Sequence, residues 1–76
     1  MYIVSYFVEQ DDLLEAYGPF KTYEEAKAWM IDDVGCAENY LKKIKVTFEL
    51  CKRKDNKIVI PGYYVWEIVE IQTPQH

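Results

Sequence analysis

Four carboxylates, Glu9, Asp11, Asp12 and Glu15, fall within seven residues of chain. Oxygen donors at that density suit a hard cation such as calcium, but their order does not follow the ligand spacing of a calcium loop. The expectation is a solvated acidic turn and no metal site. Glu25 and Asp32 share one side of a helix if the chain is helical there. Paired carboxylates do acid–base work when burial drives their pKa values apart; on a polar helix side they stay solvated. His76 is the single histidine and stands at the last position, where a general base is hard to orient. Cys36 and Cys51 have no histidine near them and lack metal-ligand spacing. Gly18, Gly35 and Gly62 each suit a turn or a cap better than a phosphate-cradling loop. Arg53 is the sole arginine, which leaves little for bidentate phosphate clamping. The residues point to no enzyme, no catalytic set and no cofactor.

Binding chemistry is better represented. Lys42, Lys43, Lys45, Lys52, Arg53, Lys54 and Lys57 gather in one stretch, with Tyr40, Tyr63 and Tyr64 near its ends. A basic hairpin with aromatic rings can hold phosphates and stack bases. The chain as a whole is acidic, with formal net charge −4, whereas strong basicity is the usual footprint of nucleic-acid binding. The other reading is a lysine-rich hairpin that keeps a sheet edge soluble. The acids are concentrated in residues 1–39, which carry a net −7 against +3 for the remainder. Such asymmetry can steer a partner, or the opposite charges can meet once the halves fold together.

Aromatic residues make up 16% of the chain, including seven tyrosines and two tryptophans, more than one small core requires. They must be positioned by strands. Tyr2–Glu9 reads as a strand with both faces largely apolar, hence central in its sheet. Gln10-Asp11-Asp12 suits a turn, and Leu13–Tyr17 a short returning strand before Gly18-Pro19. Thr22 and Glu25 form a T-x-x-E capping box. Tyr23, Ala26, Met30 and Val34 follow at helical spacing, with Trp29 and Ile31 at the flanks. Gly35 sits where a left-handed C-terminal residue belongs, which predicts a helix over 23–34. Residues 36–43 add a short helical turn. Alternation from Ile44 to Arg53 predicts a strand with one wet face. Asp55-Asn56 and Pro61-Gly62 predict turns around a strand at 57–60, and Tyr63–Ile71 a last strand. Gln72–His76 reads as a loose tail.

The result is a single α+β domain over residues 1–76, of order β-(β)-α-β-β-β. One antiparallel sheet of four to five strands carries a helix across one face. The other face would then expose some of Tyr2, Tyr6, Tyr63, Tyr64 and Trp66, unless Leu13, Leu14 or the 36–43 segment covers it. No run of about 20 apolar residues spans a bilayer, no export signal opens the chain, and two cysteines are no disulfide framework. The expectation is a cytoplasmic protein with reduced, buried thiols and no membrane partner; a Cys36–Cys51 disulfide is the other reading.

The stretch Gly18-Pro19-Phe20-Lys21-Thr22-Tyr23-Glu24-Glu25-Ala26 resembles the strand-to-helix junction of septal-type peptidoglycan-binding repeats. Those carry two such units, and this chain has one. In general character the chain resembles the short, acidic, aromatic-rich accessory proteins of phages and mobile elements. Some of these inhibit host defence systems, anti-CRISPR proteins among them. That resemblance implies an inhibitor of a larger host protein or nucleoprotein complex and carries over no residues. The leading expectation is a protein–protein interaction module. Asp11, Asp12, Glu15, Glu24 and Glu25 would supply steering charge, and Tyr6, Tyr63, Tyr64 and Trp66 contact area. The alternative is a nucleic-acid-binding accessory protein using the basic 42–57 hairpin, and a third is self-assembly, as a homodimer, through a sheet edge or the uncovered face.

Overall fold

The computed structural model describes residues 1–72. The expected loose tail therefore falls, from Thr73 onward, outside the described residues. Strands β1 (Tyr2–Val8) and β2 (Leu13–Phe20) precede helix α1 (Tyr23–Lys43), and β3 (Cys51–Lys54), β4 (Lys57–Ile60) and β5 (Tyr64–Glu70) follow it. They form one antiparallel sheet of order β2-β1-β5-β4-β3. The two strands with apolar residues on both faces, β1 and β5, are interior, as their patterns require.

Pleating sorts the side chains. Val4 lies opposite Ile68 and Tyr6 opposite Trp66. These residues face α1 together with Ile58 and Ile60, and Ala26, Met30, Val34 and Leu41 of the helix close over them. Six of these residues, Trp66, Met30, Leu41, Ile60, Val4 and Ala26, are essentially inaccessible.

Strand β2 runs on to Phe20, past the Gly18-Pro19 punctuation. Between the pairs Val4–Tyr17 and Tyr2–Phe20, β2 holds one more residue than β1, a bulge. Gly18 lies at φ 130°, and a Cβ there would stand 3.0 Å from the Tyr2 carbonyl oxygen. The strand is at the sheet's edge, so the missing N–H of Pro19 costs no ladder bond.

The helix also departs from the sequence reading. It starts as expected, with the Glu25 amide donating to Thr22 Oγ1 at 3.2 Å. It does not stop at Val34 but continues through Gly35 to Lys43, 21 residues in all. Its apolar stripe continues through Ala37 to Leu41, which is 1% exposed. Burying a leucine is worth about 1.5–3 kcal/mol, more than the ~1 kcal/mol that a mid-helix glycine costs. The true stop lies ten residues later. Lys45 takes φ 61°. Its amide donates to the Lys42 carbonyl, and the Val46 amide to that of Leu41. This is a Schellman motif with lysine in the left-handed position, and Val46 packs back on the cluster that holds Leu41.

The strand expected from Ile44 to Arg53 is reduced to Cys51–Lys54. Its partner β4 has only four residues, so 44–50 has no ladder to join. The alternation is nevertheless physical. Val46 and Phe48 are half-buried against the core while the chain runs back from the helix end to the sheet. The Asp55-Asn56 turn is pinned to β5: the Asn56 carbonyl accepts from the Ile68 amide at 2.8 Å, and Asn56 Nδ2 donates to the Ile68 carbonyl at 3.1 Å.

Candidate functional site

The aromatic surplus is not on the uncovered sheet face. Tyr2, Tyr6, Tyr64 and Trp66 share the pleat of Val4 and Ile68 and so lie on the helix side. With both faces of β1 and β5 apolar, the strand pattern alone could not say which one the helix would take. The face away from the helix carries aliphatic residues and Phe7 instead.

Around the β1–β2 turn and the start of β5 the rings make a continuous layer. Trp66 is its floor, 0% exposed, and so offers no surface to a partner. Its indole N–H donates to Asp33 Oδ2 at 2.9 Å, which ties the floor to the helix. Tyr6 and Tyr64 stack on each other beside it, with ring centroids 5.8 Å apart and planes 20° from parallel. Each lies about as close to Trp66, at 5.6 and 5.5 Å. Tyr17 lies 6.3 Å from Tyr6 and 4.6 Å from Trp29. Tyr63 flanks Tyr64 at 6.4 Å. Tyr6, Tyr63 and Tyr64 are half-buried, and Tyr17 and Tyr40 are exposed.

Carboxylates border this layer. Glu15 sits opposite Tyr6 in the ladder and accepts a hydrogen bond from the Tyr17 hydroxyl. Burial, then the neighbouring Tyr64, Asp33, Tyr17 and Glu15, push the Tyr6 phenol up to about 12. Burial raises Tyr64 too, followed by Tyr40 and Asp11. Tyr17 is raised chiefly by its bond to Glu15. Burial, the leading cause at Tyr6 and Tyr64, disfavours any charge, but the smaller contributions of Glu15, Asp33 and Asp11 favour an arriving cation, and aromatic faces add cation–π attraction. The arrangement is a shelf suited to an ammonium or guanidinium group.

The structure divides the sequence-derived residues. Asp11, Asp12, Glu15, Tyr6, Tyr63 and Tyr64 belong to the shelf end. Glu24 and Glu25 are in the first turn of α1, beside the far end of β2, and join no common acidic surface with them. The basic residues also separate. Lys42 and Lys43 close the helix, with Lys45 in its cap, while Lys52, Arg53, Lys54 and Lys57 lie on the β3–β4 hairpin. There β3 is an edge strand, and exposed charge protects it from pairing with other chains. Tyr17, Trp29 and Asp33 were missing from the sequence-derived set, and Tyr40 was read only as flanking the basic stretch. Trp29, Asp33 and Tyr40 fall on one helical stripe, a signal readable only once the helix is carried past Gly35.

At the opposite end a cleft of about 410 Å³ is lined by Tyr2, Tyr23, Asp55, Asn56, Ile68 and Glu70. Its Asp55 accepts from the Tyr23 hydroxyl at 2.9 Å and pairs with Lys27. These bonds, Lys27 first, hold the Asp55 carboxyl below the usual carboxylate range. They fasten the helix start to the β3–β4 turn. The thiols of Cys36 and Cys51 are free, as expected, but not buried: Cys36 is exposed and Cys51 half-buried. Among the described residues no cluster of three or more His, Cys, Asp or Glu side chains could hold a metal ion, and no helix is long and apolar enough to cross a membrane. Comparison with known proteins found no matching family model, no matching curated protein and no matching solved structure.

Proposed function

We propose that this protein is a non-catalytic binding module that receives a basic segment of a larger protein on the tyrosine shelf. The convergence of the stacked Tyr6 and Tyr64 rings with Glu15, Asp33 and Asp11 carries this reading. Tyrosines supply rigid contact area, and the carboxylates supply attraction and orientation. An inhibitor of the phage type would use such a shelf to occupy basic residues that otherwise engage a nucleic acid.

The test is binding of a fluorescein-labelled arginine-rich peptide, followed by anisotropy at several salt concentrations. Tyr64→Ala and the triple variant Asp11→Lys, Asp12→Lys, Glu15→Lys are compared with the parent chain. The reading expects saturable binding that weakens with salt and falls at least tenfold in each variant. Equal binding by correctly folded variants would overturn it. Saturable binding of a single-stranded oligonucleotide instead, lost on removing Lys52, Arg53 and Lys54, would move the activity to the hairpin.

A further inference from the structure

Three elements meet around the cleft of about 410 Å³ at the end of the fold opposite the shelf. The strand register places its parts. Tyr2 lies directly opposite Glu70 across β1 and β5, so both project from the helix side of the sheet, as does Ile68 two residues before Glu70. Tyr23 opens α1, and Asp55 and Asn56 come from the β3–β4 turn. The Tyr2 and Tyr23 rings meet edge to face, with centroids 5.8 Å apart and planes at 80°, and so form two perpendicular aromatic walls. Ile68, 4% exposed, contributes apolar surface between them.

The polar groups of the cleft are unequally engaged. Lys27 bonds one oxygen of the Asp55 carboxylate and the Tyr23 hydroxyl bonds the other. Asn56 spends its side-chain amide on the Ile68 carbonyl. Glu70 is exposed and forms no ion pair among the described residues. With Asp55 balanced by Lys27, the lining carries one uncompensated negative charge. The positive end of the α1 dipole is answered by Glu24 and Glu25 in its own first turn.

We infer that this cleft binds a small quaternary ammonium ion, a trimethylammonium head with a short substituent. Its volume lies within the roughly 300–1,000 Å³ of small-ligand sites. An anion would meet Glu70 and find no free cation, because Lys27 is held by Asp55. Aromatic walls attract a cation without requiring a hydrogen bond from it. A primary ammonium brings three N–H donors, and the Asp55 oxygens that would receive them already accept from Lys27 and Tyr23. A nitrogen bearing only methyl groups has no donors to satisfy. Its methyls fit against the rings and Ile68, and Glu70 balances its charge.

The ¹⁵N-labelled chain is titrated with choline chloride to about 100 mM, a range that saturates a site of millimolar affinity, against sodium chloride at matched ionic strength. The amides of Tyr2, Tyr23, Asn56 and Glu70 should shift saturably. Two further probes define the class: 3,3-dimethylbutan-1-ol, the uncharged analogue of choline, and ethanolamine, its primary amine. Each should bind at least about fivefold more weakly than choline, as should choline to Glu70→Gln, an exposed substitution that keeps the fold. Tyr23→Phe keeps the ring and should bind within about twofold of the parent, whereas Tyr23→Leu should lose binding. The inference is overturned by shifts that do not saturate, or by either analogue binding as tightly as choline. Unchanged binding by folded Glu70→Gln also overturns it, as do shifts centred on Tyr6 and Tyr64 that Tyr64→Ala removes. None of these outcomes bears on the arginine-rich peptide at the shelf.

Discussion

Gly35 and Lys45 make opposite demands on one helix, and exchanging their conformational roles tests where that helix ends. If α1 stopped at Val34, Gly35 would be its left-handed cap, and alanine there would destabilise the protein by about 1 kcal/mol. In the structure Gly35 lies inside the helix, with nothing within 4 Å of a Cβ built on it. Gly35→Ala should then add about 0.5–1 kcal/mol, the helix-interior difference between the two residues. Lys45 is the residue at φ 61°. Lys45→Gly relieves a left-handed β-carbon and should add a further ~1 kcal/mol. Ten helical residues span about 15 Å, so the gains should add to about 1.5–2 kcal/mol. For 76 residues, an unfolding entropy of ~2.1 cal/mol/K per residue converts this to a Tm rise of roughly 9–12 °C. Thermal melts followed at 222 nm, with urea titrations to check an unchanged m-value, measure it. A lower Tm for Gly35→Ala would refute the continuous helix.

Three further outcomes follow from individual contacts. Gly18→Ala combines a positive φ with a Cβ 3.0 Å from a backbone oxygen, and urea unfolding should show a loss of about 1–3 kcal/mol. Asp33→Ala removes the acceptor of the buried Trp66 N–H and should cost about 1–3 kcal/mol in the same assay; Asp33→Asn, which keeps an acceptor oxygen, should cost less than half as much. Asp55 is lowered and Lys27 raised, each mainly by the other. The stability difference between the parent and Asp55→Asn should therefore be present at neutral pH, lost as pH falls through the depressed Asp55 value below ~3.9, and lost again as pH rises through the elevated Lys27 value above ~10.4. Tm profiles of both chains across pH read this directly.

Elements defined by local chemistry were legible from residue order alone: the Thr22 cap, the turns at Asp55-Asn56 and Pro61-Gly62, and the two strands apolar on both faces. What escaped was decided by partners far away in sequence. Gly35 carried a stop signal, but Leu41 buried against the sheet outweighed it. Ile44–Leu50 alternates like a strand, yet β4 is too short to pair with it. Lysine at the left-handed position of the helix end hid the true stop, although Leu41 and Val46 were in place to mark it. The site was half legible for the same reason. Tyr6, Tyr63 and Tyr64 could be singled out by type, but only the Tyr6–Glu15 pairing and the extended helix stripe bring Tyr17, Trp29, Asp33 and Tyr40 beside them.

Helix length and the shelf are thus one problem. Asp33 and Tyr40 lie on either side of Gly35. Asp33 holds the indole that forms the shelf floor, and Tyr40 stands near enough to Tyr64 to raise its phenol. Had the helix ended at its glycine, Tyr40 would have no fixed place and Leu41 would not seal the core beneath the 44–50 segment. The residue that weakens the helix at its middle also divides it into a first part, which packs on β1 and β5 through Ala26, Met30 and Val34, and a second, which Leu41 and the Schellman closure hold in place. The rim of the shelf depends on that second part. Its order therefore comes from a helix whose continuation is stabilised by one buried leucine and a cap without glycine, and under the proposed function binding at the shelf is thermodynamically linked to stability of the helix end.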